Sequence, residues 1–265
     1  METAGYLASI FIGISLGLIG GGGSVLTVPV LVYLFRIEPV LATGYSLFIV
    51  GITSAVGSVA YFRKGLVSLR TAIVFGLPSI AAVYATRVYL LPIIPAQLLN
   101  IGNFAVTKDI LLMLLFAILM IAASYTMIKK DSKTDHMPVQ KLTFNYPVIL
   151  LEGVVVGTLT GLVGAGGGFL IIPALVLLSK LPMKEAVGTS LVIIAAKSLI
   201  GFLGEAASAQ MNWPALLSIT SFAILGIFIG TAVSKKIDGA KLKPAFGWFV
   251  LIMGVYILLR ETSVI

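Results

Sequence analysis

Long apolar runs, parted by short polar breaks, fill almost the whole chain. They predict membrane elements at roughly 4–19, 24–36, 40–62, 70–91 and 104–128. They return at 147–179, 185–203, 213–233 and 245–260. The runs are too continuous for transmembrane strands, which alternate every second residue, so the elements are helices. The segment 92–103 (PIIPAQLLNIGN) is marked by Pro and Asn and reads as a loop. Residues 129–146 (KKDSKTDHMPVQKLTFNY) form the one clearly hydrophilic linker. It divides the chain into an N-terminal half, 1–128, and a C-terminal half, 147–265.

The first run has a flaw in its middle. As one helix, residues 4–36 would extend about 50 Å, against a hydrocarbon core of about 30 Å. They are broken at Gly17–Pro29, GLIGGGGSVLTVP, where four glycines stand together. Each glycine costs a helix interior about 1 kcal/mol relative to Ala. The break recurs as GLVGAGGGFLIIP at Gly161–Pro173. A shift of 144 places Gly20, Gly22 and Gly23 on Gly164, Gly166 and Gly167, and Pro29 on Pro173. The same shift places Ala42, Gly44, Ser46 and Leu47 on Ala186, Gly188, Ser190 and Leu191, and Ser54 and Gly57 on Ser198 and Gly201. One gapless shift across two elements predicts an internal duplication.

Composition supports the membrane assignment. Of 265 residues, 59% are hydrophobic and only 11% charged, against about 25% charged in soluble domains; the mean hydropathy is +1.11. The net charge of +8 is spread over short loops, which reads as the positive-inside bias and not as a nucleic-acid footprint. With no Cys, thiol chemistry is excluded; with one His, His136, in a polar loop, a histidine metal site is not expected, nor is a cofactor. The N-terminus has Glu2 but no basic n-region, so the first run is expected to stay in the mature protein.

Loop charge also decides how the broken runs lie. If each crosses once, basic loops divide almost evenly between the two sides. If each enters and leaves on one side as a hairpin, thirteen basic residues share one side and Arg36, Arg87, Lys108 and Arg260 take the other. The second arrangement obeys the positive-inside rule. It predicts an all-α polytopic membrane protein of two inverted repeats. Each repeat is a glycine-broken helical hairpin followed by three transmembrane helices. The linker is then cytoplasmic and both termini are external.

Candidate chemistry centres on the breaks. Gly20, Gly21, Gly22, Gly23 and Ser24, with Gly164, Gly166, Gly167 and Gly168, precede helical runs whose free N–H groups point back into the turn. Such termini carry about half a positive elementary charge and suit an anion. Ser24 is the expected N-cap. Inverted repeats bring two such turns together near the midplane. The other reading is that the glycines serve only close helix packing. Thr43, Tyr45 and Ser46, matched by Thr189 and Ser190, offer hydroxyls to an anion or to neighbouring helices. Lys197 is the one charge well inside a predicted span, and its repeat partner is Thr53. It either meets substrate or snorkels to the surface. Glu152 and Glu205 sit at span ends, as proton-coupling carboxylates or interfacial charges.

The paired glycine motifs, each followed by a span opening A-T-G-Y-S or A-V-G-T-S, resemble the sulfite exporter TauE/SafE family of bacterial and archaeal permeases. The resemblance covers essentially the whole chain. It implies transport of sulfite, sulfoacetate or other small organosulfur or organic anions. Ala165 for Gly21 and Gly168 for Ser24 make the two half-sites chemically unequal. The expectation is therefore a secondary transporter, an exporter, of a small anion, with a passive anion channel as the alternative. Its partners are the lipid bilayer, the anion and protons as a candidate coupling ion; no nucleic acid is expected. No ATP-binding motif is seen, and no catalytic constellation lies within the spans, so an enzyme is not expected.

Overall fold

The computed structural model describes residues 2–95, 97–101, 104–128, 146–163, 168–177, 181–206, 211–234, 237 and 239–262. The first half comprises α1 (Glu2–Ile19), α2 (Gly22–Pro29), a π-helical segment Val30–Leu34, α3 (Pro39–Phe62) and α4 (Leu69–Ala85). A second π-helical segment, Thr86–Leu90, leads into α5 (Leu91–Ile93), strands β1 (Gln97–Ile101) and β2 (Phe104–Thr107), and α6 (Lys108–Ile128). The second half comprises α7 (Tyr146–Val163), α8 (Gly168–Leu177), α9 (Met183–Ala206), α10 (Trp213–Val233) and α11 (Gly239–Thr262). Among the described residues, five helices are long and apolar enough to cross a membrane: Pro39–Phe62, Leu69–Ile93, Lys108–Tyr125, Met183–Leu203 and Trp213–Val233.

The first broken run is a hairpin. α2 folds back along α1, so that a Cβ on Gly23 would overlap the Ile12 carbonyl. Phe35, beyond the π-helical segment, packs on Gly5 and meets Tyr6 edge-on at 5.6 Å. The run therefore returns to the level at which it began. It ends with Arg36 in the left-handed region (φ 57°) and a bond from Ile37 N to Leu31 O of 3.0 Å. α8 ends with the same closure, Leu181 N to Leu175 O at 3.1 Å.

The halves pack reciprocally. α1 lies on α10 and α7 on α4; α3 pairs with α9, and α6 with α11. Moved by 144, the limits of α1 become those of α7 and the limits of α3 become those of α9. Helix starts match too: Ala42 N bonds Glu38 O and Ala186 N bonds Pro182 O, both at 2.8 Å. Glycine seams allow the closest crossings. Gly13 and Gly17 of α1 meet α10 backbone, where Gly226 and Gly230 meet α1 in turn. Gly153, Gly157 and Gly161 of α7 rest on Phe75, Ser79 and Thr86. Small residues at four-residue spacing are how membrane helices gain dispersion contact without a hydrophobic drive.

One local expectation is corrected. The loop expected at 92–103 is partly an antiparallel hairpin, β1 with β2, and the helix expected from 104 begins at Lys108. Phe104-Ala105-Val106-Thr107 is short and rich in strand-forming residues. Thr107 Oγ1 then accepts from Ile110 N at 3.4 Å, and Asp109 occupies the first helical turn, which fixes the start of α6.

Candidate functional site

The two glycine breaks meet. Gly21 is the N-cap of α2, and its backbone lies directly on that of Gly168, the first residue of α8. A Cβ on Gly21 would overlap the Gly168 carbonyl, and a Cβ on Gly168 would overlap Gly21 Cα. Gly20 has φ +76°, a conformation that side chains rarely adopt, and packs on Val187 and Ser190 of α9. The positive ends of α2 and α8 thus face one junction. Gly22 opens α2, whereas Gly23 turns onto α1 at Ile12 and Leu16. Gly164, Gly166 and Gly167 lie outside the described residues.

Ser24 is not the N-cap. It lies three residues past Gly21, and its hydroxyl donates back to the Gly21 carbonyl at 2.7 Å. The helix starts earlier than Ser24 because glycines can form its first turn. The hydroxyl therefore stiffens the turn and does not satisfy a helix N–H.

α3 and α9 form the wall beside this junction. They run antiparallel: Gly57 packs on Leu191, Gly51 on Leu199, and Gly188 on Tyr61. That register brings the middle of α3, around Thr53, to the level of Lys197. On α9, Ser190, Ile194 and Lys197 recur at helical spacing and share a stripe. Ser190 touches Gly20, Ile194 touches Gly168, and Lys197 Nζ donates to Thr160 Oγ1 of α7 at 3.0 Å. Lys197 is 0% exposed, so it does not snorkel. No carboxylate among the described residues pairs with it. The matching stripe on α3 is Ser46, Val50 and Thr53.

Buried hydroxyls fall into two groups. Most donate to a carbonyl of their own helix: Ser9 to Gly5, Thr27 to Gly23, Thr220 to Leu216 and Thr231 to Ile227. Ser46, Thr53, Ser54, Ser79 and Ser198 have no partner among the described residues, and four of these five lie on α3 and α9. A buried polar atom left unpaired costs about 1–3 kcal/mol, so this concentration calls for a ligand or ordered water.

The other hydroxyls proposed from the sequence are committed elsewhere. Thr43 donates to Val40 O at 2.6 Å, Tyr45 Oη accepts from Asn212 N at 2.5 Å, and Thr189 Oγ1 accepts from Ser68 N at 2.8 Å. The bond of Thr43 stays within α3, and the other two tie α3 to the start of α10 and α9 to the start of α4. Ser190 donates to Val187 O at 2.8 Å, but its oxygen still faces Gly20. Glu152 is partly buried, with Oε2 unpartnered; the side chain of Glu205 lies outside the described ones.

The structure adds a residue that the loop-charge reading placed at a surface. Arg87 is only 3% exposed, and its Nη1 donates to Thr43 Oγ1 at 2.9 Å. It stands in the π-helical segment Thr86–Leu90, a form that recurs at functional sites. Its position four residues inside the predicted end of a span was the available signal.

The sequence profile of the sulfite exporter TauE/SafE family matches residues 6–257. A "probable membrane transporter protein" of Xylella fastidiosa is 29% identical over 257 residues, covering 94% of this chain and 92% of that one. "Probable membrane transporter protein YunE" of Bacillus subtilis is 30% identical over 239 residues, covering 83% and 84%. YdhB of the same organism, named in the same way, is 25% identical over 253 residues, covering 95% and 98%. No solved structure matches the chain.

Proposed function

Because the chain belongs to the sulfite exporter TauE/SafE family, we propose that this multi-pass membrane protein is a secondary transporter, exporting a small anion such as sulfite or an organosulfonate. The observation that carries the reading is Lys197. It is fully buried, has no carboxylate partner among the described residues, and stands where α3 and α9 cross beside unpartnered hydroxyls. An uncompensated charge at such depth is costly, and an anion relieves it. The facing ends of α2 and α8 add donors without adding fixed charge.

The reciprocal packing supports two repeats related by a two-fold. Together with the thirteen basic residues assigned to one side, it supports their being inverted, with the linker 129–146 cytoplasmic and both termini external. In this reading the halves, 1–128 and 147–265, rock about the junction in alternating access. The membrane is the cell's inner membrane, and protons or the membrane potential provide coupling. A charge moved down 100 mV gains about 2.3 kcal/mol.

Counterflow of labelled sulfite in proteoliposomes tests the proposal. Uphill uptake driven by unlabelled sulfite on the other side is expected. Flux that only follows the imposed gradient would mark a passive channel instead. If Gly22→Val and Gly166→Val both left transport unchanged, the central site would be wrong.

A further inference from the structure

Lys197 is not the only cation inside the fold without a cationic counterpart under the shift of 144. Arg87 corresponds to Thr231. Its segment packs on both α7 and α9. Thr86, just before it, touches Gly161, which follows the Thr160 that accepts from Lys197. On its other side the Arg87 guanidinium is anchored through Nη1 to Thr43. One turn along α3 from Thr43 stands Ser46, fully buried, with a hydroxyl that has no partner among the described residues. The same stripe continues to Thr53, level with Lys197, where another buried hydroxyl lacks a partner among the described residues. Thr43, Ser46 and Thr53 thus lie along α3 between the two buried cations, with Val50 between the last two.

The two cations differ in kind. Lysine is a compact point charge that attracts any anion. Arginine presents a planar fork matching two oxygens of a carboxylate, sulfonate or sulfite, and a spherical halide cannot use that geometry. We propose that Arg87, oriented by Thr43 and assisted by Ser46, is an oxyanion-selecting station through which substrate passes on its way to or from Lys197. This deepens the transport reading above and rests on it.

The test is sulfite counterflow in proteoliposomes, with unlabelled methanesulfonate, acetate and bromide as competitors. The wild type is expected to favour the oxyanions over bromide at least tenfold. Arg87→Lys keeps the charge but loses the fork. It is expected to raise the KM for sulfite about tenfold, with maximal rate and bromide inhibition nearly unchanged. Ser46→Ala removes only the free hydroxyl and is expected to raise KM about threefold, which preserves a test if Arg87→Lys does not fold. A wild-type KM in Arg87→Lys, or in Ser46→Ala when that is the only folded variant, would overturn the proposal. So would equal inhibition of the wild type by bromide and oxyanions. If Lys197→Met abolishes counterflow while Arg87→Lys keeps the wild-type KM, only this inference fails. If the wild type shows no sulfite counterflow, the transport reading fails with it.

Discussion

α3 and α9 occupy equivalent places in the two halves, yet they carry different chemistry. Their limits coincide under one shift, and they cross antiparallel at the centre. Each bears Ser at the same two positions, Ser46 with Ser190 and Ser54 with Ser198. At the crossing they differ in charge, with Thr53 on one helix and Lys197 on the other. In the transport reading proposed above, Lys197 brings to this crossing a positive charge that Thr53 does not. Placing lysine on both helices would bury two like charges at one level, which a low-dielectric interior disfavours.

The largest break in this comparison is removal of the charge. Lys197→Met is expected to lower sulfite counterflow at least 100-fold. Thermal stability in detergent should hold or rise, since an apolar residue of similar length avoids burying a charge. Moving the charge instead, with Lys197→Thr and Thr53→Lys combined, should restore part of the flux if the level of the crossing is what matters. Flux no better than in Lys197→Thr alone would tie function to the α9 side.

The second break is at the junction. Gly21→Ala places a methyl on the Gly168 backbone and should cost about 1–3 kcal/mol, read as a lower unfolding temperature. Gly65→Ala provides the contrast. Its φ is +67° but nothing lies within 4 Å, so only the backbone preference of about 1 kcal/mol is lost.

The third sharpens the difference between free and committed hydroxyls. Thr53→Val and Ser54→Ala should leave stability unchanged or slightly raised and weaken sulfite binding several-fold. Thr231→Val, which removes a bond to Ile227 O, should cost about 1 kcal/mol without changing affinity. Equal stability losses in both sets would mean that the α3 hydroxyls are paired after all.

The smallest concerns the starts of α4 and α10, another matched pair. Asn212 Oδ1 accepts from Ala215 N at 3.2 Å, whereas Ser68 Oγ pairs with Thr71 Oγ1 at 2.9 Å and caps no helix N–H. Asn212→Ala is therefore expected to cost about 1 kcal/mol and Ser68→Ala less, by thermal unfolding.

Much of this was legible in the chain. Apolar runs and glycine breaks placed the helices to within a few residues, because hydropathy and backbone freedom are local properties. The hairpin followed from which loops carry Lys and Arg. Lys197 was visible because a lone charge in an apolar run stands out. Arg87 was not, since near the end of a span it counts as a flanking charge until Thr43, 44 residues away, is seen to hold it. Nor does sequence separate Thr43 from Ser46. Both are small hydroxyls on the first turns of one helix, and only long-range packing decides which is occupied. Ser24 was misassigned because a serine after glycines looks like a cap, although glycine itself can begin the helix.

The contact between Gly21 and Gly168 has a consequence for how such a protein can change. Two bare backbones form the joint, so there is no side chain there for mutation to adjust by degrees. Any replacement by a larger residue falls on the joint itself. In the transport reading proposed above, new substrate preferences would be written into the helices around it, with the joint left alone. A redesign resting on that reading would diversify α3, α9 and the segment bearing Arg87, and hold both glycines fixed.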